Sequence, residues 1–359
     1  MSTPQPILLP KTLSTRCGAL LAGQYRLVRR VGAGGTSTVW IADDLLLERR
    51  VAVKILDSSD VDETQARLRF EREAKLASRI VNPHVVQIFA QGRTAFGRPF
   101  IVMELLRGED LATRITRGPL RLSLAASIVH QASQVLGQVH AEGLVHRDIK
   151  PHNIFLMREH DGQLFVKLLD FGIAKDGALP SMTQEGTVIG TLAYMSPEQL
   201  ACASRVSASA DVWAMAVTSY EMLTGQPPFS AGSLPELLLK LHAGRFSPIT
   251  SLQPRLPRQL DALFAKALHR DPRQRFGGIG ELSQALVEIA RTNRRGRTCR
   301  DCAASSQTVG PRAHAVSRGQ VAWLAICWLL LAALSFVAVY TLRGNSLAGP
   351  HAADVAREP

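Results

Sequence analysis

His146-Arg147-Asp148-Ile149-Lys150-Pro151-His152-Asn153 gathers several reactive side chains into eight residues, and Asp170-Phe171-Gly172 begins seventeen residues after Asn153. These residue types suit transfer of a phosphoryl group to a hydroxyl. A carboxylate must orient the attacking hydroxyl and accept its proton, and Asp148 supplies one. A cation must offset charge on the moving group, and Lys150 stands two residues on. The Asn153 amide oxygen and the Asp170 carboxylate suit a hard divalent cation bridging phosphates. Any one triplet can arise by chance. The two in this order demand a phosphate-binding element upstream.

Val31 to Trp40, VGAGGTSTVW, lies between two strand-like patterns. Gly32, Gly34 and Gly35 let backbone N–H groups approach a phosphate without obstruction. A P-loop is excluded, because no Gly-Lys followed by Ser or Thr occurs there. A dinucleotide-binding turn is disfavoured, because a strand rather than a helix follows. Twelve residues after Val39 comes Val51-Ala52-Val53-Lys54. Strand period puts Ala52 and Lys54 on one face, a small residue and a cation suited to a flat base and its phosphates. Residues 62–80 have helical periodicity and carry Glu71 and Glu73. Glu73 falls on the apolar side with Phe70, Leu76, Ala77 and Ile80, and Glu71 points nearly the opposite way. A carboxylate on an apolar face needs a partner, and Lys54 is the expected partner of Glu73.

Taken together, these motifs resemble the eukaryotic-type protein kinases, over about residues 25–291. The closest likeness is to bacterial membrane-anchored Ser/Thr kinases, whose glycine loop often reads G-x-G-G-x-S-x-V; here it reads Gly32-Ala33-Gly34-Gly35-Thr36-Ser37-Thr38-Val39. The resemblance implies an α+β, bilobal fold with a β-rich N-lobe and a helical C-lobe. It implies Mg²⁺-dependent transfer of the ATP γ-phosphate to Ser/Thr hydroxyls of proteins, with Mn²⁺ as an alternative ion. Lys54, Glu73, Asp148 and Lys150 form the catalytic set, with Asn153 and Asp170 as metal ligands. Val31, Gly32, Gly34, Gly35, Val39, Ala52 and Lys54 surround the nucleotide. Met103 becomes the gatekeeper behind adenine, and Glu104 to Leu106 the hinge whose backbone pairs with it. Ser196-Pro197-Glu198 replaces the usual A-P-E, with Glu198 expected to pair with Arg275. Asp211 braces the catalytic loop, and Thr191 has a structural role. Thr183 and Thr187 are the expected autophosphorylation sites, a phosphate there pairing with Arg147. Relatives of this type can pair back to back, so a homodimer is compatible with the reading.

Composition agrees with a folded chain of this size. Of 359 residues, 46% are hydrophobic and 20% charged, which argues against disorder. Five scattered cysteines suit a reducing compartment. Cys299 and Cys302 form a lone C-x-x-C, too few donors for a four-ligand zinc site. The net charge of +12 invites a nucleic-acid reading. The arginines, however, crowd residues 291–318 without interleaved aromatics, and no nucleic-acid partner is expected.

Val321 to Leu342, VAWLAICWLLLAALSFVAVYTL, is uncharged. As a helix at ~1.5 Å per residue it spans roughly 33 Å, the hydrocarbon thickness of a bilayer. Arg291, Arg294, Arg295, Arg297, Arg300, Arg312 and Arg318 precede it, against Arg343 and Arg357 after it. By the positive-inside rule the large domain faces the cytoplasm, anchored in the inner membrane by one pass. The expected organisation is a leader at 1–24, the catalytic domain at 25–291, a basic linker at 292–320, a transmembrane helix at 321–342 and a short outer tail at 343–359. The competing reading is a pseudokinase scaffold that binds nucleotide and recruits partners at the membrane. The complete catalytic set weighs against it.

Overall fold

The computed structural model describes residues 16–33, 37–56, 68, 70–71, 80–158, 162–170, 190–201 and 206–306, with 295–306 described by backbone alone. The chain divides into two units, 1–296 and 297–359. The expected membrane run at 321–342 lies outside the described residues. Among those described, no helix is long and apolar enough to cross a membrane.

The front of the first unit is an antiparallel sheet of six strands in the order β1-β2-β3-β4-β6-β5. They are β1 (Leu20–Leu21), β2 (Tyr25–Ala33), β3 (Ser37–Asp44), β4 (Arg49–Leu56), β5 (Ile88–Arg93) and β6 (Pro99–Glu104). Register decides which side chains share a face. Trp40 opposes Val53, which opposes Val102, and Ile55 opposes Phe100. These residues build one core with Leu21, Tyr25 and Leu27. Their neighbours alternate to the other face: Val39 opposes Lys54, Ile41 opposes Ala52, and Ala52 opposes Met103. One face therefore supplies the apolar core, and the other collects the side chains expected around the nucleotide.

The structure adds three details to the sequence reading. Leu20–Leu21, expected within the leader, pair with β2, because Leu21 is apolar and completes the core. Strand β5 does not begin until Ile88. Residues 82–87 form a strap, where Val86 N–H donates to Leu168 O (3.2 Å) and Leu168 N–H to His84 O (2.7 Å). The basic linker is helical at its start, since the last helix runs from Ile279 to Ser306.

The remainder of this unit is mainly helical. Helix α1 (Leu111–Ile115) is capped by Asp110, which accepts from Thr113 N–H at 2.7 Å. Helix α2 (Leu122–Ala141) and helix α4 (Ser209–Thr224) share the large core; α3 (Pro197–Ala201) is short. Helix α4 is apolar nearly all round, the pattern of a helix enclosed by others. It ends at Gly225, whose φ of 84° forms a left-handed cap. Trp213 stacks on Phe229 with centroids 5.5 Å apart, and Tyr220 meets Phe264 edge-on at 5.4 Å. Burial, then the Asp261 carboxylate, pushes the Tyr220 phenol up to about 12.

A small sheet, β7 (Gly108–Asp110), β8 (Ile154–Arg158) and β9 (Leu164–Leu168), lies among these helices and carries the ends of the reactive loops. Gly108 is required there. Its φ is 152°, and a Cβ would stand 2.0 Å from Leu156 O.

Candidate active site

The stretch 146–153 joins α2 to β8 and is shaped by a carboxylate from elsewhere. Arg147 has φ 65°, a left-handed conformation that costs a non-glycine residue about 1–3 kcal/mol. Asp211, fully buried in the first turn of α4, accepts His146 N–H and Arg147 N–H at 2.8 Å each. His140 Nε2 lies 2.7 Å from the same carboxylate. Hydrogen bonds to a charged group contribute about 1.5–3 kcal/mol each, enough to offset the strain. The expected bracing role of Asp211 thus has a visible geometry. Gln199 Nε2 adds a bond to Arg147 O at 3.3 Å.

Past this bend, a 3₁₀ turn at Pro151–Asn153 folds Asn153 back over Asp148. The Asn153 amide donates to Asp148 O at 2.8 Å and to Asp148 Oδ2 at 3.0 Å. Lys150 Nζ stands 3.2 Å from the same Oδ2. With its NH₂ group turned onto Asp148, Asn153 keeps its amide oxygen as the atom suited to a cation.

Strand β9 delivers Asp170. Leu169 N–H donates to Asn153 O at 2.9 Å, which joins the two loops. Asp170, at φ 38°, meets Lys54 Nζ at 2.6 Å. The two lie 116 residues apart in sequence. Asp170 is 46% exposed, so water screens this pair and it is worth only ~0–1 kcal/mol of stability. What the pair accomplishes is placement: it puts a cation and an accessible carboxylate together beneath the sheet. A carboxylate and an amide oxygen fit Mg²⁺, which binds through one or two carboxylates, waters and substrate phosphates.

Val39, Ala52, Lys54 and Met103 share one sheet face, and Gly32 pairs with Val39. Val31 is exposed on the same strand as Gly32. Gly34, Gly35 and Glu73, the expected partner of Lys54, lie outside the described residues, as do Thr183 and Thr187. Phe70 and Glu71 are helical; Phe70 is buried and Glu71 pairs with Arg93 at 2.7 Å. Glu104 ends β6, and Leu106 follows it in the link to β7. Thr191 stands in a helical turn, its carbonyl accepting from Tyr194 N–H at 3.4 Å. Glu198 and Arg275 pair as expected, through two bonds of 2.6 and 2.8 Å. The Arg275 guanidinium lies over the Trp213 ring at 4.8 Å.

Two features have no counterpart in the sequence reading. A cavity of about 580 Å³ opens beside the 3₁₀ turn, lined by Asp110, Thr113, His152, Glu221 and Gly225 among others. Burial holds the Glu221 carboxyl above the usual range, although a 2.6 Å hydrogen bond from Tyr194 opposes this. Burial and the neighbouring Glu221 raise the Tyr194 phenol as well. A carboxylate inside the apolar run of α4 was the available signal, the same one that singled out Glu73. The second feature is Lys167 on β9, whose Nζ reaches Glu104 Oε1 at 2.5 Å.

Comparison with known proteins agrees with this geometry. The protein kinase domain family model matches residues 25–287. A curated relative from Corynebacterium efficiens, named serine/threonine-protein kinases drp72, is 38% identical over 288 residues, covering 78% of this chain and 53% of its own. Serine/threonine-protein kinase PknH of Mycobacterium bovis is 36% identical over 275 residues, covering 76% of this chain and 45% of its own. The chain therefore spans about half the length of the curated relatives it matches. Among solved structures, the PknI kinase domain of Mycobacterium tuberculosis superposes with a TM-score of 0.61 at 27% identity, covering 77% of this chain and all of that one. With a two-part fold, a braced Asp148 loop and a Lys54–Asp170 pair at its centre, the chain belongs to the protein kinase family and groups with bacterial serine/threonine-protein kinases.

Proposed function

We propose that the chain is a membrane-anchored kinase that transfers the γ-phosphate of ATP to Ser/Thr hydroxyls of proteins, including those of its own 173–195 segment. The observation that carries this reading is the convergence of Asp148, Lys150 and Asn153, bonded to one another in one loop, with the Lys54–Asp170 pair, whose strand is tied to that loop through Leu169 N–H and Asn153 O. Mg²⁺, when bound, neutralises phosphate charge and holds the reacting groups in line. Asp170 and the Asn153 oxygen are its ligands from this chain. Lys54 steadies the phosphates. Val31, Gly32, Gly34, Gly35, Val39 and Ala52 cover the nucleotide, Met103 backs the base, and the backbone of Glu104 to Leu106 pairs with it. Asp148 orients the acceptor hydroxyl and takes its proton, and Lys150 offsets the charge that develops.

Thr183 and Thr187 are the proposed autophosphorylation sites, read by Arg147. The run at 321–342 and its arginine flank support an inner-membrane anchor with the kinase domain in the cytoplasm. The test is transfer from labelled ATP by the purified chain, with Mg²⁺ or Mn²⁺, beside Asp148→Asn. The variant is expected to lose roughly 10²–10⁴ in kcat while still binding nucleotide. Nucleotide binding without transfer by the unaltered chain would favour a scaffold instead.

A further inference from the structure

Lys167 is unusual among the cations of this fold. It sits on β9, three residues before Asp170, yet its side chain leaves the reacting centre. Its ammonium reaches Glu104 Oε1 at 2.5 Å and Val85 O at 3.3 Å. The pair is well shielded, at 12% and 24% exposure. Glu104 is fastened on two further sides: its Oε1 accepts from Gln87 N–H at 2.7 Å, and its own N–H donates to Gln87 O at 3.0 Å.

Stability alone does not account for this arrangement. A shielded ion pair loses in desolvation about what it gains by attraction, and apolar replacements are often neutral. What the pair does is add a direct side-chain link between two segments that the strap 82–87 and the sheet β7-β8-β9 bring near each other. One carries the hinge backbone of Glu104 to Leu106; the other leads directly to Asp170. The strap is itself tied to β9, through Val86 N–H to Leu168 O and Leu168 N–H to His84 O. Parallel to these backbone ties, Lys167 supplies a side-chain strut to the hinge.

We propose that Lys167 is a positioning residue for the nucleotide base: through Glu104 it fixes the hinge backbone relative to the limb that carries Asp170. The proposal rests on the kinase reading above. Removing the strut frees the hinge without touching the groups that act on the phosphate. It should therefore weaken ground-state binding and leave the chemical step largely alone.

The experiment measures affinity for adenosine and for ATP with Mg²⁺, together with kcat, in the full chain and in Lys167→Met, Glu104→Gln and the double variant. Adenosine has no phosphates, so it reads the hinge separately from Lys54 and Asp170. Each single variant is expected to bind adenosine and ATP about tenfold more weakly. The two losses should be equal; in Lys167→Met kcat should change far less, with a melting transition showing a folded chain in each variant. The double variant should be no worse than either single one, because both changes remove the same strut. Adenosine affinity within about twofold of the unaltered chain in both single variants, or losses that add in the double variant, would overturn the proposal. An unaltered chain that bound neither adenosine nor ATP would overturn the kinase reading itself, a result distinct from normal binding that the variants leave unchanged.

Discussion

Asp44 shows what one carboxylate can organise. It is almost fully buried at the end of β3, where it accepts from Gln24 Nε2 at 2.7 Å and from Leu46 and Leu47 N–H at 3.2 and 3.3 Å. Burial alone would raise its pKa; these donors, with Arg49 nearby, outweigh burial and hold it below the ordinary 3.8. The sign follows: a depressed carboxyl stabilises the fold above its unfolded pKa and loses that contribution as pH falls through the folded one. Asp44→Asn should therefore cost about 1–2 kcal/mol near pH 7. The gap should close as pH falls below 3.8, read by urea unfolding at a series of pH values. At this scale the sequence was legible where chemistry and spacing coincide, as at Asp148, Asn153 and Asp170. It could not name the partners of Glu221 and Lys167, which lie 27 and 63 residues away without a local pattern.

Among the elements, strands and helices with a strong period were readable, and the sheet's two faces follow from alternation alone. The strap at 82–87 was not. Its apolar residues resemble a strand, but its hydrogen bonds go to β9 and to Glu104 instead of forming a full ladder. Short β8 and β9 were hidden among helices for a similar reason, since five residues give too little period to read. The tie between α3 and the turn before the last helix (Ile279–Ser306) offers a test. Arg275 holds Glu198 with two parallel bonds and also donates to His269 O at 2.8 Å and Ser209 O at 3.1 Å. Lysine keeps the charge but cannot reproduce the fork or lie flat over Trp213. Arg275→Lys should lower stability by about 2–3 kcal/mol, seen as a lower urea midpoint with an unchanged slope.

For the molecule as a whole, the apolar run and its arginine flank make a prediction independent of catalysis. Deleting residues 321–342 should move the chain from the membrane pellet to the supernatant with phosphoryl transfer retained. Continued pelleting would contradict the anchor. Another whole-molecule property follows from Asp211. The amides of His146 and Arg147 belong to a loop, and loops ordinarily trade their hydrogens with water quickly. These two are held by a carboxylate on a helix buried nearly all round, so they open only when that helix lets go. In deuterium-labelling experiments they should exchange as slowly as the amides of Val212 to Leu223, timed by unfolding of the interior and not by motion at the surface.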